Sequence, residues 1–209
     1  MDLHSKTMKT TLLLWVTAGF AWTAPAAYEI RPDDRAVLEL TVEKTGLLGG
    51  KKHLFTFSRY QATLRFDPTA PETSTVELEI ETASIFCHDT WLSAKDLRKV
   101  QDYAVKDMLA ADRYPRITFR STAIAKVDSS KYQVQGNLTI RDVSRPVIFT
   151  ASLQAAGDSF PHIEGSARLL LTDFGLKPPT ALLGAIGTKN EIVLRFVLTA
   201  KPQTASPEE

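Results

Sequence analysis

Cysteine is almost missing from this chain: Cys87 is the single one in 209 residues. No intrachain disulfide can form, so the fold has to stand on its buried core. Excess charge of either sign is missing too, with 25 basic and 24 acidic residues. Such a balance offers no electrostatic argument for nucleic acid or an anionic membrane surface as partner. Also missing is any apolar run of the ~20 residues that a membrane-spanning helix requires. Finally, His53, His88, His162 and Cys87 show no zinc-type ligand spacing, so the pattern predicts no metal.

What is present begins with an apolar run from Leu12 to Trp22, preceded by Lys6 and Lys9 and followed by Ala24-Pro25-Ala26. A positive flank, a short apolar stretch and a small-x-small site together describe an export signal, cleaved after Ala26. Met8, directly before Lys9, offers an alternative start. Residues 1–26 are therefore read as a signal peptide, with the mature chain periplasmic or secreted. The remainder suits one domain, 27–200, large enough to bury roughly 70% of the surface of its unfolded chain. A polar tail, 201–209, is expected to be disordered.

Period-two alternation dominates that domain. Leu38, Leu40 and Val42 share a face, as do His53, Phe55 and Phe57, then Tyr60, Ala62, Leu64 and Phe66. Val76, Leu78 and Ile80 oppose Glu77, Glu79 and Glu81, so one face is core and the other water. Ile117 and Phe119, then Tyr132, Val134, Leu138 and Ile140, continue the pattern, with Gly136 marking a bulge or bend. Val147, Phe149, Ala151 and Leu153, then Gly165, Ala167 and Leu169, then Ile192, Leu194, Phe196 and Leu198 complete it. The glycine-bearing segment Thr45 to Lys52 reads as a flexible loop, and Lys177 to Thr188 as another.

One helix interrupts the strands. Ser93 with Asp96 three residues on resembles a capping box, and Leu97, Val100, Ala104, Val105 and Met108 fall on one stripe. The spacing predicts a helix over 94–110, stopped by Tyr114-Pro115. Eight or nine strands with short turns and no repeating helix-strand units make an all-β protein with one inserted helix, either an antiparallel sandwich or a closed barrel. Closure removes exposed edges, and eight strands are wide enough for one small ligand.

Several segments in order resemble the YceI-like family: YPRITFRST at 114–122, YQVQGNLTI at 132–140 with RPV at 145–147, and Asp173-Phe174-Gly175 before a closing apolar strand. The similarity covers most of residues 28–200. It implies an exported, antiparallel, eight-stranded lipocalin-like β-barrel with a helical insertion at one side. It also implies an interior that holds a long isoprenoid, such as a polyisoprenoid or isoprenoid quinone, or a similar amphiphile. The chain departs from the family pattern where LSAKDLRKV follows Asp89 and leads into a longer helix, and in the glycine- and lysine-rich stretch 45–52.

On this reading the barrel interior is the ligand site: Phe55, Phe57, Leu64, Phe66, Val76, Leu78, Ile80, Ile117, Phe119, Leu138, Ile140, Phe149, Leu169, Leu194 and Phe196. Alternation alone leaves open that these faces pack on one another with no cavity between them. His53, at the start of an aromatic strand, is the candidate at the mouth, beside the helix and the loops 43–52 and 177–188. Cys87-His88-Asp89 places a thiol, a base and an acid side by side, but successive strand residues point to opposite faces, so no catalytic residue is assigned. Cys87 reads as a small buried hydrophobe. The expected function is binding, transport or storage of a hydrophobic lipid, or a part in an envelope-stress response. Its rivals are an enzyme using His53, His88 or Asp89 at the mouth, and a ligand-free interaction barrel. Monomer and homodimer are both compatible with the sequence.

Overall fold

Alternation becomes eleven strand segments in the computed structural model, which describes residues 26–154 and 161–203. They are β1 Ala26–Ile30, β2 Val37–Gly46, β3 Lys52–Phe57, β4 Tyr60–Phe66, β5 Thr75–Glu81, β6 Ile85–Cys87, β7 Arg116–Lys126, β8 Lys131–Ile140, β9 Val143–Gln154, β10 His162–Leu170 and β11 Ile186–Pro202. Every pairing is antiparallel.

Three pairs of segments are single strands broken by a kink, which reduces eleven to eight. β1 and β2 occupy one slot between β11 and β3–β4: Ile30 pairs with Ala200 and Val37 with Val197, with 31–36 looping out between them. β3 and β4 are separated only by Ser58 and Arg59, and β5 and β6 only by the 3-10 turn Thr82–Ser84. The last two kinks face each other and are stitched together. Ser84 accepts from the amides of Ser58, through its carbonyl (3.3 Å), and Arg59, through its hydroxyl (3.2 Å), while the Arg59 carbonyl accepts from Glu81 N–H (3.0 Å). β11 pairs with β10 on one edge and with β2 and β1 on the other, so the eight strands close into a barrel.

The ladder is interrupted between β9 and β10, whose last pair is Ser166↔Thr150, and again beside β6. β7 pairs with β5 only as far as Arg116↔Glu81, because Pro115 has no amide hydrogen with which to extend the ladder. The outer edge of β6 is therefore left without a strand neighbour, and helix α1 (Ala94–Asp102) lies across it. The Gln101 side chain bonds to that edge, accepting from Cys87 N–H (2.8 Å) and donating to the Ile85 carbonyl (2.7 Å). The predicted cap is present: Ser93 Oγ accepts from Asp96 N–H (3.1 Å) and donates to the Asp96 carboxylate (2.8 Å).

The structure corrects several boundaries. The α-helix stops at Asp102 and widens into a π-helical turn over Tyr103–Met108, with Leu109 N–H bonded to the Ala104 carbonyl at 3.0 Å. The extra residue in that turn keeps Ala104, Met108 and Leu109 all over the barrel before the chain reverses at Ala110, whose φ is 47°. The stretch 45–52 is a tight β2–β3 hairpin rather than a flexible loop, closed by Gly49 N–H to Gly46 (2.9 Å) and Lys44 N–H to Lys51 (2.9 Å). β11 begins at Ile186, inside the predicted loop 177–188, and ends at Pro202, so Lys201 and Pro202 of the predicted tail pair with β1. Residues 204–209 and the predicted signal peptide up to residue 25 lie outside the described residues.

Gly136 is not itself bulged. The register shift lies on the partner strand, between Ser121 and Ala123, and a Cβ at Gly136 would sit 2.4 Å from the Phe119 ring. Gly165 likewise lies beneath Phe196, at 2.2 Å. Between them Phe119, Phe149 and Phe196 form a row with ring centroids 5.2 and 5.5 Å apart.

Candidate functional site

Inward-facing positions of the strands enclose two chambers. The narrower, about 140 Å³, is lined by residues from Ile30 and Leu64 across to Phe119, Phe149 and Phe196, with Phe66, Val76 and Leu78 in the same wall. The wider, about 400 Å³, lies beneath the helix and is lined by Phe55, Phe57, Ile117, Ile140, Val100, Ala104 and Met108 among others. Ile80, Leu138, Leu169 and Leu194 line both and form the waist between them. Every apolar residue picked out from the alternation thus faces one chamber or the other. The alternative of a core packed without space does not hold. Pattern reading missed the helix contribution, because Val100, Ala104 and Met108 read equally well as plain packing.

Among the described residues, no charged one lines the narrow chamber. Tyr60 is part of its wall; the Tyr60 hydroxyl is buried without a hydrogen-bond partner among the described residues, and burial pushes its phenol up to about 12. The wide chamber has a polar corner made by Lys44, His53 and Thr188. Lys44 continues the period-two series Leu38, Leu40, Val42, a signal the sequence contained, whereas Thr188 was hidden in an apparent loop.

His53 is not the rim residue expected; it is 9% exposed and forms part of the chamber wall. The fold pairs it with Asp89: beyond the last β3–β6 pair, Phe55↔Cys87, the His88 amide still bonds to the Leu54 carbonyl at 2.8 Å, which brings Asp89 opposite His53. His53 Nδ1 bonds to one oxygen of the Asp89 carboxylate, and the other accepts from Leu54 N–H at 2.9 Å. Trp91 flanks the imidazole at 5.4 Å between centroids. His88 points to the opposite, exposed face, where its Nε2 meets Thr56 Oγ1 at 2.8 Å. His162 lies on β10, 3.4 Å from Thr199 Oγ1.

Cys87 joins His53 and Asp89: their ligand-type atoms all lie within 4.8 Å of one another. Sequence spacing concealed this cluster because Cys87 ends β6, Asp89 lies two residues beyond it, and His53 is on β3, more than thirty residues away. His53 Nδ1 and one Asp89 oxygen are bonded to each other, so a metal taking His53 through Nδ1 would have to break that bond. Nor does the cluster resemble an activated thiol. Burial, with Asp89 alongside, pushes the Cys87 thiol up to about 11, away from the thiolate that nucleophilic chemistry needs.

The YceI-like domain profile matches residues 28–200. The chain belongs to the YceI-like family. Among relatives of this YceI-like chain, a UPF0312 protein of Pseudomonas savastanoi pv. phaseolicola is 30% identical over 129 residues, 59% of the chain and 64% of the relative. The chain therefore spans a little under two thirds of the length of such curated relatives. BcnA of Burkholderia cenocepacia superposes with a TM-score of 0.62 at 22% identity, covering 78% of this chain and 94% of that one. A domain from Saccharophagus degradans, described as polyisoprenoid-binding, superposes with a TM-score of 0.59 at 12% identity, covering 84% and 98%. At these identities the likeness is one of fold.

Proposed function

We propose that this protein is an exported, non-enzymatic carrier that holds a long apolar chain, of isoprenoid type, inside its barrel. The observation that carries the proposal is the pair of chambers joined at a waist of aliphatic residues, with polar groups confined to one corner. An elongated hydrocarbon fits such a space, and each buried methylene contributes about 0.8 kcal/mol. The chambers together fall in the range of roughly 300–1,000 Å³ typical of small-molecule sites. The polyisoprenoid-binding description of the Saccharophagus neighbour supports the same reading, as does the leader-like sequence at 1–26 for a periplasmic location. The raised thiol of Cys87 weighs against nucleophilic catalysis by that residue.

Native mass spectrometry of the protein purified from its own periplasm, followed by organic extraction, tests this. A discrete adduct that extracts as an isoprenoid supports the carrier. A bare protein mass, from material never exposed to detergent, would remove its basis.

A further inference from the structure

Three side chains at the helix-covered end of the wide chamber differ from everything around them. Lys44 and Thr188 are cross-strand partners on β2 and β11, and His53 lies on β3, two residues past Lys51, whose carbonyl bonds to the Lys44 amide. All three line the chamber, amid Leu40, Val42, Phe55 and Ile192.

Each has bonding capacity left over. The Lys44 ammonium is half-buried and its only hydrogen bond is to Thr188 Oγ1, at 3.3 Å; no carboxylate lies within ion-pair distance of it among the described residues. Burial lowers its pKa, opposed by the field of Asp89. A half-buried cation without a counter-ion is costly, and an incoming anion relieves that cost. His53 has Nδ1 engaged by Asp89, which fixes the ring, while Nε2 has no protein partner. Asp89 itself is 6% exposed and does not line the chamber, nor does any other carboxylate among the described residues. Lys99 contributes to the wall, but its amine is held on the outer surface by Asp96 at 3.0 Å.

We propose that Lys44, His53 and Thr188 form an oxyanion site for the ligand's head, so that the preferred ligand is an amphiphile ending in a carboxylate or phosphate. This rests on the carrier reading above and adds head-group selectivity to it. Lys44 supplies charge, Thr188 Oγ1 donates a directional hydrogen bond, His53 Nε2 donates a second as the imidazolium ion-paired with Asp89 through Nδ1, and the apolar tail runs under the helix toward the waist. A compact oxyanion matches a point-charge ammonium, which offers donors in several directions rather than a planar fork.

The test uses three probes with one C20 isoprenoid tail and different heads: geranylgeraniol, geranylgeranoic acid and geranylgeranyl monophosphate, each titrated into the purified mature protein by calorimetry. At least one anionic probe should bind about tenfold or more tighter than the alcohol, as expected for charged hydrogen bonds in a dry site. Lys44→Met should collapse the anion-to-alcohol ratio toward one, and Lys44→Arg should retain it, with thermal unfolding confirming that both variants are folded. A gain for both anions marks a general oxyanion site, and a gain for the phosphate alone marks a phosphate site; either supports the proposal. Equal binding of all three, or a ratio unmoved by Lys44→Met, overturns it while leaving the carrier intact. Binding of none of the three overturns the carrier and the head site together.

Discussion

The side-chain carbonyl of Gln101 accepts the amide hydrogen of Cys87 at 2.8 Å, taking the place of the neighbouring strand that β6 lacks on this edge. With its amide donating to Ile85, one helical residue imitates a rung of β-ladder and ties the helix to the edge that the β7 ladder stops short of. Gln101→Ala leaves two backbone groups of β6 unpaired. It should cost ~1–3 kcal/mol, the penalty for orphaned buried polar groups. Denaturant unfolding checks the magnitude, and faster amide exchange at Cys87 checks the location.

Asp89 holds His53 and the Leu54 amide together from behind the chamber wall. Asp89→Ala orphans both, so its destabilisation should exceed that of Gln101→Ala. In the double variant His53→Leu with Asp89→Ala, one of those orphans is gone. The combined loss should then fall short of the sum of the two single losses, as groups in one network do. A double-mutant cycle by chemical denaturation measures the difference.

The aromatic row rests on two glycines. Gly165→Ala would place a methyl 2.2 Å from the Phe196 ring and 2.7 Å from the Thr150 carbonyl, and the latter, being backbone, cannot swing away. Overpacking of this kind costs ~1–3 kcal/mol. Phe196 should move into the narrow chamber, so the variant should both melt lower and accept a shorter tail. Calorimetric melting and titration with isoprenoids of graded length separate the two effects.

Alkaline pH should weaken the fold. Burial raises the Cys87 thiol from 9.0 to about 11 and the Tyr60 phenol from 10.0 to about 12. Between each pair of values the folded state keeps a proton that the unfolded state has released, so stability falls as pH rises through that window. The decline should begin near pH 9 with Cys87 and steepen above pH 10 with Tyr60. Tyr60→Phe removes a buried hydroxyl that has no partner. It should be neutral or stabilising near pH 7 and should flatten the decline above pH 10 in stability measured against pH.

Much of this architecture was legible along the chain, because a strand with one wet face writes period two into the sequence without reference to its neighbours. Glu77, Glu79 and Glu81 against Val76, Leu78 and Ile80 are enough to assign a face. Ser93 and Asp96 are enough to start a helix, since capping is local. The apolar chamber lining followed from the same alternation, together with the family resemblance carried by 114–122 and 132–147.

Pairing across the sheet was another matter. Nothing local says that His53 stands opposite Asp89, that Thr188 lies beside Lys44, or that Gln101 completes the edge of β6. Those meetings depend on register between segments tens to more than a hundred residues apart, and on where Pro115 ends the β7 ladder. The polar corner is thus a product of tertiary structure, while the apolar lining is set by the chain itself. Burial from water selects apolar residues one position at a time, but a hydrogen-bonded site exists only when particular partners are brought within about 3 Å.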